Sequence, residues 1–183
     1  PLTINLTGYK LLIQEVTVTD RLKNYYELTK PKIWYLLVFT TFGSAVTASY
    51  LTDNFLSPLQ WIYLLVGIVA GSAAADALTG YNDRDIDAIM DRTKARPIPS
   101  GRIAPKNALI FGLLLAGISL FCAWSINYLT FGLMAFGLFD NIIVYSKWLK
   151  RKSQTNIILG GFSGAVPALI GYVAVTTENI EVG

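Results

Sequence analysis

Four aspartates fall within nine positions in the run Asp83-Arg84-Asp85-Ile86-Asp87-Ala88-Ile89-Met90-Asp91, and Asp83, Asp87 and Asp91 recur at every fourth residue. On one continuous helix these three carboxylates share a face, with Asp76 two turns earlier on the same stripe. Like charges one turn apart destabilise a bare helix by a few tenths of a kcal/mol per pair, and a divalent cation relieves them. Oxygen ligands without His or Cys favour Mg²⁺, which takes one or two carboxylates and fills its shell with water and substrate phosphate. Asp83 and Asp87 are therefore the expected metal ligands, with Asp91 a weaker participant. Asp85 points about 200° around the helix from Asp83, which suits solvent or a salt bridge to Arg92.

Directly after the acids come Arg92, Lys94 and Arg96, followed by Pro97 and Pro99. The prolines cannot continue a helix, so the basic residues are expected on a loop folded back beside the carboxylates. An acidic face with a basic loop suits a metal-bridged diphosphate, the ion on the carboxylates and the cations on the remaining phosphate oxygens. Arg92 and Arg96 are the main diphosphate candidates and Lys94 and Lys30 secondary ones. Lys150 could reach the same face, although a basic residue at a span end is more often a topogenic anchor. The plain alternative is a solvated loop that only sets orientation; acids at or within a membrane argue against it, being functional by default.

These residues are carried by a chain of 183 residues that is 53% hydrophobic, with a mean hydropathy of +0.47. Five apolar segments approach the ~20 residues needed to cross a bilayer: 33–51, 59–81, 108–125, 129–145 and 157–176, the fourth interrupted by Asp140 and Asn141. The expected fold is all-α, a polytopic membrane helical bundle. Asp76 and Asp140 should face its interior, and Gly67, Gly71, Gly160, Gly161, Gly164 and Gly171 should let helices approach closely. The short connections 52–58, 126–128 and 177–183 hold no Lys or Arg, so all 15 basic residues lie on the opposite side. The positive-inside rule makes that side cytoplasmic: a multi-pass cell-membrane protein with residues 1–32 and the Asp-rich loop in the cytoplasm. No secretory signal precedes the first span, and 11–28 is expected at the membrane surface. The net charge of +3 is too small for a nucleic-acid binder. One Cys and no His exclude, within this chain, a disulfide scaffold, a Cys/His zinc site, a His-based nucleophile system and an axial imidazole for haem.

At these residues the sequence resembles the UbiA superfamily of intramembrane prenyltransferases, and within it the haem-farnesylating branch. Asp83-Arg-Asp-Ile-Asp87-Ala-Ile-Met90-Asp-Arg92-Thr93-Lys-Ala-Arg96-Pro97 is similar to that branch's first aspartate motif. Leu28-Thr-Lys30-Pro31-Lys32 resembles the L-T-K-P-R stretch before its first span. Tyr145-Ser-Lys-Trp-Leu149-Lys150-Arg151 and Asn156-Ile-Ile-Leu-Gly160-Gly161-Phe-Ser-Gly164-Ala-Val-Pro167 resemble its Y-T-x-x-L-K-R and N-I-x-x-G-G-x-x-G-A-x-P stretches. The family usually has Asn four residues before the first Asp; Thr79 stands there, while Asn82 immediately precedes Asp83, and either could supply the polar ligand.

The resemblance implies transfer of a farnesyl group from farnesyl diphosphate to a vinyl group of haem b, giving haem O. Mg²⁺ is the implied cofactor, and Asp83, Asp87, Arg92 and Arg96 the implied catalytic residues. Farnesyl diphosphate, haem b, the bilayer and the assembly machinery of haem-copper oxidases are the implied partners. It also implies a bundle of about nine ~20-residue spans with a second aspartate motif, so that residues 33–183 form a C-terminally incomplete prenyltransferase domain. Another acceptor, an aromatic, a quinone precursor or a glycerol lipid, is an alternative within the superfamily. A non-enzymatic transporter or assembly subunit is the alternative outside it.

Overall fold

The computed structural model describes residues 18–143 and 156–177, with side chains from Gly164 onward in the second stretch. All regular structure among the described residues is helical. We label the helices α1 (Val18–Leu28), α2 (Pro31–Thr52), α3 (Pro58–Asn82), α4 (Arg84–Ile89), α5 (Pro105–Trp124), α6 (Tyr128–Phe139) and α7 (Asn156–Thr176).

Proline begins α2, α3 and α5, where its missing N–H would be unpaired in any case and its fixed φ is already helical. Ser57 adds a capping box to α3. Its Oγ accepts from the Gln60 amide at 3.3 Å while Gln60 Oε1 accepts from the Ser57 amide at 2.7 Å. Asn127 caps α6 in the same way, its Oδ1 accepting from the Thr130 amide at 2.7 Å. Helices α2, α3 and α5 are long and apolar enough to cross a membrane. The expected fourth and fifth spans coincide with α6 and α7. The fourth leaves regular α geometry where its sequence turns polar, and Asp140–Ile143 continue as a π turn.

With apolar residues on every side, these helices have no amphipathic stripe to orient them. Leu36, Phe39, Tyr50 and Leu51 on α2 and Leu113, Leu114 and Phe121 on α5 are exposed, as lipid-facing side chains must be. Packing is decided by small residues instead. Helix α3 lies along α5, where Ser119 Oγ donates to the Gly67 carbonyl at 2.8 Å and Gly112 accepts the Leu78 side chain. Helix α2 lies along α7: Gly171 rests directly on the Thr41 carbonyl, and Thr41 Oγ1 and Ser44 Oγ donate to the Pro167 and Ala168 carbonyls at 3.0 and 2.6 Å. Gly164 departs from the packing expectation, with open space where a Cβ would go. A core of Ala45, Leu64, Ile68, Met134, Val166 and Ile170 ties the two pairs together.

Candidate functional site

Helix α3 does not run on through the aspartates. It ends at Asn82, because Asp83 adopts φ −90°, ψ 0° and serves as both the last cap of α3 and the first of α4. Seven residues later Met90 becomes extended at ψ 127°. The expected single stripe of Asp76, Asp83, Asp87 and Asp91 is therefore corrected. Restarting the helix places Asp85 and Asp87 in a first turn, where carboxylates are favoured, instead of stacking four like charges on one face. Asp91 falls beyond the break and forms an exposed pair with Lys94 at 2.7 Å.

Two of the predicted carboxylates are drawn inward. Asp83 is 2% exposed and Asp87 4%, although each lies beside exposed neighbours in the sequence. Asp87 Oδ2 accepts from Arg96 Nη1 at 2.7 Å, and the buried Thr93 hydroxyl donates to the Asp87 carbonyl at 3.0 Å. The basic loop thus folds back over the acids, as its prolines imply. The buried Pro97 and Ile98 anchor it.

A second ion pair lies deeper. Lys30, held at φ 45° in the left-handed region at the start of α2, places its Nζ 2.8 Å from Asp76 Oδ1 on α3. The other oxygen, Asp76 Oδ2, is buried with no hydrogen-bond partner among the described residues. Together Glu27, Lys30, Asp76, Gly80, Asp87, Arg96 and Pro97 line a polar cavity, so called for the five charged side chains in its wall. Asp76 also lines an adjoining apolar cavity with Ile33, Ile68, Met134, Asn141 and Ile170. A charged compartment and a greasy one therefore meet at a single carboxylate.

The remaining predicted residues sit elsewhere. Thr79 Oγ1 donates to Asn141 Oδ1 and Asn82 Nδ2 to the Ile142 carbonyl, both at 3.2 Å, so these two side chains fasten α3 to the π turn after α6. Arg92 and Lys94 are exposed and absent from the lining of the polar cavity. Asp140 is buried, as its expected inward orientation requires, but it is absent from the lining of the apolar cavity, to which its neighbour Asn141 contributes. Lys150 lies outside the described residues.

Arg102 pairs with Glu27 of α1, itself in the wall of the polar cavity, through two bonds, Nη1 to Oε2 at 2.6 Å and Nη2 to Oε1 at 2.9 Å. The guanidinium holds the Glu27 carboxyl below its ordinary range, and Glu27 in turn raises Arg102. Sequence reasoning missed this pair, since Arg102 reads as one more topogenic cation. It also treated Lys30 and Asp76 separately, although Asp76's position two turns before Asp83 was a usable signal.

The chemistry of the donors fits Mg²⁺: Asp87 in the wall of the polar cavity, Asp83 buried one turn before it and outside the lining of both cavities, adjacent cations and no His or Cys beside them. Among the described residues no three acidic, Cys or His side chains cluster to cage an ion, so the shell would need oxygens from substrate, water or elsewhere in the protein.

The site is thus a helical one, with a cavity lined by charged side chains that shares Asp76 with an apolar cavity, and residues 36–182 match the UbiA prenyltransferase family. The chain belongs to that family. It is 51% identical over 176 residues to protoheme IX farnesyltransferase 2 of Cenarchaeum symbiosum, covering 92% of this chain and 57% of the relative. It is 45% identical over 161 residues to protoheme IX farnesyltransferase of Thermoplasma volcanium, covering 87% and 55%. The chain thus spans about half the length of the curated relatives it matches. In fold it is similar to a digeranylgeranylglyceryl phosphate synthase, with a TM-score of 0.77 at 21% identity over 86% of this chain and 54% of that one. A UbiA homolog from Archaeoglobus fulgidus bound to GPP and Mg²⁺ gives a TM-score of 0.63 at 21% identity over 82% and 52%.

Proposed function

We propose that the protein of which this chain is part transfers a farnesyl group from farnesyl diphosphate to a vinyl group of haem b, with the aspartate loop on the cytoplasmic side. The observation that carries the reading is the junction at Asp76, where a cavity lined by Lys30, Asp87 and Arg96 meets one lined by Ile33, Ile68, Met134 and Ile170. A molecule with a charged head and an isoprenoid tail matches that division. Identity of 42–51% to relatives named protoheme IX farnesyltransferase supports haem as the acceptor.

Asp83 and Asp87 would hold Mg²⁺, which supplies charge neutralisation to the departing diphosphate. Arg96 and Lys30 donate to diphosphate oxygens as negative charge accumulates there. Arg92 and Lys94 act from the loop's outer surface, attracting the anion inward, and Asp91 holds Lys94 there. Thr79 and Asn82 keep the end of α3 in register with the π turn, so that Asp83 starts from a fixed position. The apolar cavity excludes water from the allylic carbon until the vinyl carbon attacks it; water then adds to the cation left on the former vinyl group and loses a proton, giving the hydroxyethylfarnesyl side chain, with diphosphate as the leaving group. The chain's own residues need only place charge and shield the reacting carbon, and no protein nucleophile is called for.

The test is an assay of the full-length protein in membranes with farnesyl diphosphate, haem b and Mg²⁺. Haem O formation that is lost in Asp83→Asn and Asp87→Asn supports the reading. Prenylation of an aromatic or glycerol-lipid acceptor instead of haem would replace it with another transferase of the same family.

A further inference from the structure

Every N–H donor of Arg102 has a partner. Nε donates to Ser100 Oγ at 3.1 Å, Nη1 to Asn24 Oδ1 at 2.8 Å and Glu27 Oε2 at 2.6 Å, and Nη2 to Glu27 Oε1 at 2.9 Å and the Ala95 carbonyl at 2.6 Å. A guanidinium has five N–H groups, so none remains for a ligand. Its partners lie on two separate pieces of chain. Asn24 and Glu27 belong to α1, and Glu27 stands three residues before Lys30; Ala95 and Ser100 belong to the basic loop, and Ala95 adjoins Arg96. Lys30 and Arg96 are the two cations lining the polar cavity, which Arg102 does not line although its partner Glu27 does.

We propose that Arg102 is a positioning residue for diphosphate binding: by bridging α1 to the loop it fixes the spacing between Lys30 and Arg96. The proposal rests on reading the polar cavity as the diphosphate site. It depends on the planar fork of arginine, since a lysine offers three donors from one point and cannot span Glu27, Asn24, Ser100 and the Ala95 carbonyl together. A merely electrostatic cation, attracting anions or setting topology, would tolerate lysine. The two roles therefore separate on the conservative substitution.

The experiment uses the full-length protein in lipid nanodiscs, with Arg102→Lys, Arg102→Ala and Glu27→Gln. Three quantities are measured: hydrogen exchange of amides in 24–30 and 93–101, affinity for inorganic pyrophosphate with Mg²⁺, and KM and kcat for farnesyl diphosphate. Expected in Arg102→Lys are faster exchange in both segments and about tenfold higher KM and pyrophosphate Kd, close to Arg102→Ala, with kcat within about threefold of wild type. In an Arg96→Ala background, Arg102→Lys should weaken pyrophosphate binding much less than it does alone, because one of the two cations it spaces is gone. Arg102→Lys with wild-type exchange, or with faster exchange but unchanged Kd and KM, overturns the proposal. If the wild type binds pyrophosphate and transfers no prenyl group, the functional reading fails, and the pyrophosphate series still decides the role of Arg102. A wild type that does not bind pyrophosphate overturns both.

Discussion

Lys30 Nζ and Asp76 Oδ1 are 2.8 Å apart across 46 residues of sequence, and the pair is largely withdrawn from solvent, with side-chain exposures of 30% and 13%. This contact joins the start of α2 to the middle of the polar end of α3. It also marks the boundary between the charged and the apolar cavity. Replacing Asp76 by Ala leaves the Lys30 ammonium without its counter-charge and should lower stability by about 1–3 kcal/mol. Thermal unfolding in detergent would measure this. An unchanged midpoint would mean that the pair contributes nothing to holding α2 against α3.

Arg96 and Asp87 should matter more to catalysis than to folding. Arg96 is about one-third exposed and meets Asp87 from a loop, so Arg96→Ala need not disturb the helices. Its loss should reduce kcat/KM for the isoprenoid diphosphate on the order of 10²-fold, equivalent to about 2.7 kcal/mol of transition-state stabilisation. Arg92→Ala, at an exposed position away from the cavity, should cost much less. Equal losses for the two variants would contradict the separation of their roles.

Gly171 and Gly164 offer a matched pair on α7. A methyl group at Gly171 would collide with the Thr41 carbonyl and press on the Ala45 amide, both backbone atoms of α2 that cannot rotate away. Gly171→Ala should destabilise the bundle by roughly 1–3 kcal/mol. Gly164→Ala enters open space and should stay within about ±0.5 kcal/mol. Chemical denaturation in mixed micelles distinguishes the two.

Acid should loosen α1 from the basic loop. The Glu27 carboxyl is held below its ordinary value of 4.5 by Arg102, so its protonation in the folded state is opposed. The docking it contributes is fully present above pH 4.5 and is lost as pH falls through the lowered folded value. Because both side chains are well exposed, at 36% and 45%, the effect on global stability should be small. Hydrogen exchange of 24–30 measured from pH 6 downward, corrected for intrinsic rates, should show a drop in protection that Glu27→Gln abolishes by starting unprotected.

Much of the bundle was legible because bilayer thickness imposes length and composition on each span. Prolines at 31, 58 and 105 and the caps Ser57 and Asn127 mark the starts of their helices within a few residues of the apolar runs. The aspartates were legible as a group but not in their arrangement. A spacing of four fits one continuous helix equally well as two helices meeting at Asp83, and only backbone geometry decides between them. Long-range pairs were least legible. Nothing local distinguishes Lys30 from Lys32 or Arg102 from Arg92; what separates them is the placement of α1 and the loop, a tertiary property. Glycine showed the same limit, since Gly171 and Gly164 look alike in sequence and differ only in what lies opposite.

Asp76 lines both cavities and also accepts from Lys30 at the start of α2. A substitution at this one position therefore reaches three places together: the wall of each cavity and the seam between α2 and α3. Its effect on activity is separable from its effect on the seam only by comparison with a Lys30 variant, which breaks the same ion pair without altering the apolar wall.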